Sequence, residues 1–160
     1  MTGFREYDSG KAPTTIAEVV RLLGARRTLP RIPRDPIEAH ELLLHGLPAK
    51  ALTFLVASFV ALDWDPALER AIGMSLRTFQ RHAASDVGQL SPEQSGRIWK
   101  LAEILAKATA VFGSREEAEQ WLREPAIALN QRRPLDLLAT PAGTELVEDH
   151  LTRLEYGVYA

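Results

Sequence analysis

The sequence predicts an all-α protein. Three observations lead there: helix-start signatures at regular intervals, apolar residues recurring every three to four positions, and no comparable stretch alternating with period two. Thr15-Ile16-Ala17-Glu18 has the form of a capping box, and Gly24 after Leu22-Leu23 is its stop. Asp35-Pro36-Ile37-Glu38 opens a second helix, with Pro36 in the first turn, where its missing N–H costs little; Gly46 ends it. Between them, Arg26 to Pro36 carries three prolines and four arginines with few core residues, and reads as a linker. Leu52, Leu55, Val56, Phe59 and Val60 fall on one helical face. Ser91-Pro92-Glu93-Gln94 starts a helix whose inner stripe is Ile98, Leu101, Ala102, Leu105 and Phe112, and Ser114 to Glu117 is a further box. Glu124 to Pro134 is irregular, and Leu146, Val147, Leu151 and Leu154 mark a last amphipathic helix, Thr144 to Arg153.

A length of 160 residues is enough to bury a core without staples, and 46% hydrophobic with 25% charged residues is ordinary for a globular protein. The absence of cysteine excludes disulfides and cysteine-ligated zinc and fits a reducing compartment. The longest apolar run, Leu52 to Leu62, has the length of a buried helix, not of a membrane span, and the N-terminus lacks a signal pattern. A cytoplasmic protein with no membrane contact is expected.

The chain divides into three segments, 1–47, 48–112 and 113–160. The first two each carry seven basic and six acidic residues, the last five and nine. The net charge of −2 therefore comes from the last third, and DNA binding by the middle is not excluded. The two N-terminal helices, Thr15 to Leu23 and Pro36 to His45, have apolar faces but little core of their own, and are expected to contribute to a homodimer; the alternative is that they only pad the middle domain.

Asp65 to Ala84 reads as a helix-turn-helix. Asp65 caps and Pro66 starts a short helix that buries Leu68 and Ile72. Gly73 sits at the sharp turn, a position requiring positive φ, and Met74 is a buried turn residue. Ser75 caps a second helix, with Leu76, Phe79 and Ala83 expected inside. Ser75, Arg77, Thr78, Gln80, Arg81 and His82 are the candidate DNA-binding residues. Arginine matches guanine O6/N7 and glutamine adenine N6/N7, while Ser75 and Thr78 suit phosphate near a helix N-terminus. The bland reading of the same residues is a solvated helix face. Glu69 departs from the usual pattern, because its position favours a small side chain.

The last third carries, in order, Glu117-Ala118, Trp121-Leu122, Pro125, Leu129, Pro134-Leu135-Asp136-Leu137-Leu138, Thr140, Gly143 and a final Leu154-Glu155-Tyr156-Gly157-Val158-Tyr159-Ala160. This order resembles the C-terminal domain of Xre/MbcA/ParS-type antitoxins, partners of RES-domain toxins in type II toxin–antitoxin systems. The helix-turn-helix is similar to that family's middle domain. The resemblance covers 48–160 and implies an antitoxin that blocks an NAD-consuming RES toxin and represses its own operon. Arg153, Leu154, Glu155, Tyr156, Gly157, Val158, Tyr159 and Ala160 are the candidate toxin-binding residues. A polar, frayed end would be ordinary, whereas this one is aromatic; the alternative is that the tyrosines fold back onto their own core.

Nothing in the chain reads as an enzyme. His40, His45, His82 and His150 have no metal-ligand spacing, and Asp149-His150 lacks an activated nucleophile nearby. Neither glycine-rich phosphate motif occurs, so no cofactor is expected. Arg132-Arg133 reads as a solvated loop, with a contact to toxin or DNA as its rival. Two other functions compete: a stand-alone repressor whose C-terminal region only dimerises, and an adaptor whose helix-turn-helix no longer binds DNA.

Overall fold

Every helix begins at a side-chain cap or a proline. The structure, a computed structural model, describes residues 15–85 and 87–157. Among them nine α-helices occur: α1 Ile16–Leu22, α2 Pro36–His45, α3 Ala49–Ala57, α4 Pro66–Ile72, α5 Leu76–Ala84, α6 Pro92–Phe112, α7 Arg115–Arg123, α8 Pro134–Leu137 and α9 Pro141–Glu155. The caps are hydrogen bonds to orphan amides. Thr15, Asp35, Asp65, Ser75, Ser91, Ser114 and Thr140 each accept from the backbone N–H three residues on. At Ser91 the box is reciprocal, because Gln94 Oε1 accepts from the Ser91 amide at 3.2 Å.

The 21-residue α6 is the spine. At 1.5 Å per residue it is about 31 Å long. Helices α1, α2, α4, α7 and α9 all pack on it. Its expected stripe is buried at Ile98, Leu101, Ala102 and Leu105, and Phe112 is half-buried. Leu23, Leu52, Leu68, Leu122, Leu135 and Leu151 join the same contiguous core, so the three sequence segments share one interior. Ser95 is fully buried on α6, and its Oγ accepts from the Leu47 amide at 2.7 Å, tying the α2–α3 corner to the spine. Where α9 crosses α8, a Cβ at Gly143 would lie 2.0 Å from the Leu137 carbonyl oxygen; only glycine permits that approach.

Three expectations are corrected. The stretch from Arg26 to Pro36 is not a loose linker. It begins as a turn of 3-10 helix, Ala25–Arg27, buries Thr28, Leu29 and Pro33, and ends with Arg34 paired to Glu38 at 2.8 Å. In the last helix the inner stripe is Gly143, Val147 and Leu151; Leu146 faces outward and Leu154 is half-buried. Helix α3 stops at Ala57, so Phe59 and Val60 do not continue its face, and Val60 is exposed.

The reason for that early stop lies on α7. Glu119 is fully buried, and its carboxylate accepts from the amides of Val60, Ala61 and Leu62 at 3.0–3.1 Å. Arg115, one turn earlier, lies 3.1 Å from the same carboxylate and donates to Ser58 Oγ at 3.0 Å. Burial pushes the Arg115 guanidinium below its ordinary pKa, and the Glu119 carboxylate opposes that shift. Arg123, one turn later, donates to the Ala61 carbonyl. Three residues on one stripe of α7 thus hold the loop between α3 and α4.

Two outcomes follow. Replacing Glu119 with alanine leaves three loop amides and a half-buried guanidinium without their acceptor, so Glu119→Ala costs about 3–5 kcal/mol in urea unfolding, with Glu119→Gln between it and wild type. A loss below about 1 kcal/mol, the range of an exposed pair, would contradict this role. The hydrogen bonds from the Arg34 side chain and amide lower the Glu38 pKa from 4.5 to about 2. Because the folded pKa is the depressed one, the pair's contribution is complete above the unfolded value and is lost as pH falls towards 2. A carboxyl-carbon NMR titration of Arg34→Ala should show the Glu38 midpoint rising towards, but not reaching, the ordinary glutamate range, because the amide of residue 34 still donates to it.

Candidate functional sites

Helices α4 and α5 form the expected helix-turn-helix. Gly73 ends α4 with φ +74°, in the left-handed region that favours glycine, and Met74 is buried behind the turn. Glu69 resolves its own anomaly. Its carboxylate does not crowd the helix packing but reaches across the turn, and Oε1 accepts from the Leu76 amide at 2.8 Å. Ser75 Oγ accepts from the Thr78 amide at 3.2 Å and lies 3.0 Å from Thr78 Oγ1. The first turn of α5 is therefore capped twice, once by its own serine and once from α4.

The roll of α5 differs from the expected one. Leu76 is 39% exposed and Ala83 is exposed, while Thr78, Phe79 and His82 are half-buried. Phe79 is anchored by Trp64, whose ring stacks on it with centroids 4.6 Å apart and 22° between planes. Such a pair contributes about 0.5–1.5 kcal/mol beyond area burial. At about 100° per residue His82 lies between Thr78 and Phe79, so these three form one half-buried arc with Phe79 at its edge, and Leu76 and Ala83 fall beyond that edge. Arg77, Gln80 and Arg81 are left together on the exposed side. Of the six candidate DNA-binding residues, Ser75, Arg77, Gln80 and Arg81 face outward. Thr78 and His82 do not, and His82 turns its ring towards Gly88.

The C-terminal segment is a second surface. Trp121 on α7 packs between Phe112, at 5.2 Å, and His150 of α9, at 5.9 Å. Burial lowers the His150 pKa, and Arg153 nearby adds to the shift. Leu146, one turn before His150, is exposed, and so is Ile127 in the 3-10 turn Ile127–Leu129 that packs on α9. At the chain end Arg153 is exposed, Leu154 and Glu155 are half-buried, and Tyr156 is 74% exposed, so this tyrosine does not fold back onto the core. Gly157 follows with φ +67°. Val158, Tyr159 and Ala160 lie outside the described residues.

Arg133 is not part of a free loop. It pairs with Asp136 at 2.9 Å and with Asp65, the α4 cap, at 3.5 Å, while Arg70 of α4 reaches Asp136 at 3.4 Å. The Arg133 side chain holds the Asp136 carboxyl below its ordinary pKa. These pairs lock α8 to the first helix of the DNA-type motif. Only Arg132 remains exposed in that dipeptide. No helix among the described residues is long and apolar enough to cross a membrane.

A helix-turn-helix carrying an outward arginine–glutamine face, fused to a helical domain with an exposed aromatic end, defines a regulatory binding protein. Comparison with known proteins specifies which. Residues 67–103 match the helix-turn-helix domain of Xre-like antitoxins, and residues 107–157 match the C-terminal toxin-binding domain of Xre/MbcA/ParS antitoxins. Antitoxin Xre of Pseudomonas putida is 30% identical over 135 residues, which is 84% of this chain and 81% of that protein. Antitoxin Xre of Yersinia enterocolitica is 35% identical over 92 residues, and the match spans 57% of this chain and 62% of that protein. A Sphingobium protein named Prs ADP-ribosylating antitoxin is 28% identical over 136 residues, 79% of this chain and 83% of that protein. The chain belongs to the Xre antitoxin family, whose members are regulatory and not enzymes.

The double cap on α5 is open to a direct test. Removing the carboxylate in Glu69→Ala should cost about 0.5–2 kcal/mol, the range for loss of a helix cap, whereas Glu69→Gln, which keeps an acceptor, should recover most of it. Urea midpoints of the two variants check this; equal losses would mean that the side chain acts only through packing.

Proposed function

We propose that this antitoxin neutralises a RES-domain toxin that consumes NAD, and represses its own operon as a homodimer. The observation that carries the first part is the chain end. A rigid helix, α9, delivers an exposed Tyr156 and a glycine that bends the backbone, within the segment matching the toxin-binding domain. An NAD-consuming site is concave and must receive phosphates and flat rings. The segment from Arg153 to Ala160 offers the same chemistry in mimicry: the carboxylate of Glu155 for a phosphate-binding cluster, and the rings of Tyr156 and Tyr159 for a base slot. Attachment to α9 keeps this plug at high effective concentration and fixes its direction of entry. The name of the Sphingobium relative, which includes ADP-ribosylation, points the same way, since NAD is the usual donor of ADP-ribose.

The second part rests on α5. Arg77 and Gln80 project together from its exposed side and suit bidentate contacts to guanine and adenine, while Arg81 grips phosphate. Two copies are needed to read a near-palindromic operator with half-sites about 34–36 Å apart. Helix α2 supports association: one face packs on α6, while Ile37, 71% exposed, and Leu44, 57% exposed, lie two turns apart on the other. In this reading 1–47 serves association, 48–112 DNA binding and 113–160 toxin binding.

Three measurements test the proposal. Deleting 156–160 should leave operator binding intact and abolish protection against NAD depletion when the toxin is co-expressed; full protection by the truncated chain would remove the plug. An antitoxin that binds operator DNA but no RES toxin at all would be a stand-alone repressor. Arg77→Ala should relax base preference and cost roughly 1–3 kcal/mol of operator affinity. In sedimentation, Ile37→Glu with Leu44→Glu should convert a dimer to a monomer, and an unchanged dimer would move the interface elsewhere.

A further inference from the structure

A second cationic feature lies beyond the C-terminal end of α5. Arg26, in the 3-10 turn after α1, and Lys50, in the first turn of α3, line one open hollow together with Pro48, Val87, Gly88 and Gln89. Both side chains are exposed, and neither makes an ion pair or a side-chain hydrogen bond among the described residues. No described residue lining the hollow is acidic. Among the described residues six cations, Arg34, Arg70, Lys100, Arg115, Arg123 and Arg133, are neutralised by carboxylates; Arg26 and Lys50 are not. Two unpaired cations at one hollow, in a chain of net charge −2, therefore form a local positive strip.

The strip is fixed to the recognition helix. The chain leaving α5 returns to α3, where Ala49 N donates to the Gly88 carbonyl at 2.9 Å and Leu90 N donates to the Leu47 carbonyl at 2.9 Å. Pro48 and Gln89 pair as an isolated β-bridge, and His82 of α5 closes the other side of Gly88. Arg26 is held by its own turn, in which Thr28 Oγ1 donates to the Leu23 carbonyl beneath a buried Leu29. The backbone that carries each cation is therefore fixed, and only the two side chains are ordered when they meet a ligand.

We propose that Arg26 and Lys50 grip the DNA backbone beside the groove that α5 reads, through a pair of phosphates beyond the C-terminal end of that helix. The inference rests on the DNA-binding reading of α5. The chemistry is that of phosphate neutralisation: a guanidinium and an ammonium displace condensed counterions and add affinity without regard to sequence. The scale fits. Nine residues of α5 span about 14 Å, close to the roughly 12 Å width of the major groove, so the turn after the helix meets the flanking phosphate ridge. The strip makes the contact with the backbone, and Arg77 and Gln80 read the bases.

The test uses the full chain and two 30-base-pair duplexes: one selected from a random-sequence library by the wild-type protein, and one of unrelated sequence. Arg26→Ala with Lys50→Ala should lower affinity for both duplexes by the same factor. It should also reduce the slope of log affinity against log salt by about two, and leave the selected sequence preference unchanged. Charge-conserving Arg26→Lys should restore its share of the slope. Equal thermal melting of variant and wild type confirms that the fold is retained. An unchanged salt slope in a double variant that binds both duplexes as wild type does overturns the strip while leaving the reading of α5 intact. A wild-type protein that binds neither duplex at low salt overturns both. A changed base preference in the Arg26/Lys50 variant also contradicts the proposal, because these residues would then be reading sequence.

Discussion

The buried carboxylate of Glu119 is the constraint on which the arrangement of this antitoxin depends. An ionised side chain removed from water loses several kcal/mol of hydration, and it is retained only where the protein supplies equivalent partners. Three consecutive amides and a guanidinium do so here. The consequence is geometric. Amides that would otherwise extend α3 turn instead towards α7, which fixes where the chain leaves α3 and where it enters α4. The same loop carries Trp64, whose ring stacks on Phe79 of α5. A glutamate of the toxin-binding domain thus holds the loop from which a DNA-type helix is buttressed.

The two domains are continuous in a second way. The helix-turn-helix match ends at residue 103 and the toxin-binding match begins at 107, and both boundaries fall within α6. No flexible connection separates them. Arg133 adds a third tie, joining the α8 carboxylate Asp136 to the α4 cap Asp65. A partner seated on α7 to α9 therefore acts on a body continuous with α4 and α5. Communication between the two surfaces needs no hinge, only a small shift of a shared helix with its loop.

Local chemistry made much of this legible in the sequence. Caps at Thr15, Asp35, Asp65, Ser75, Ser91 and Ser114 act over three residues, so the residues themselves announce the helix starts. Gly73 and Met74 identified the turn for the same reason. What escaped was the work of distant partners. Glu119 meets residues nearly sixty positions away, and Arg133 meets Asp65 across a similar gap; neither spacing leaves a trace in a linear pattern. The inner face of α5 follows the apolar residues Leu76 and Ala83 in a linear reading, whereas in the fold Thr78 and His82 take their places beside Phe79, which meets Trp64, a residue outside the motif. Glu69 looked misplaced against a small-residue pattern, yet its partner, the Leu76 amide, lies only seven residues on. A signal for Glu119 was present in outline: Arg115, Glu119 and Arg123 occupy successive turns of one helix face, an arrangement that suits a clamp as well as a solvated stripe.

Native-state hydrogen exchange in increasing denaturant tests most directly whether the two domains form one cooperative unit. The account predicts that the amides of Val60, Ala61 and Leu62, together with those of α4, exchange through the same global opening as α7 and α9, with one free energy and one denaturant dependence. A smaller, separate opening that exposes 60–62 and α4 while α7 and α9 stay protected would contradict it, because the clamp would then join two independently stable parts instead of creating one.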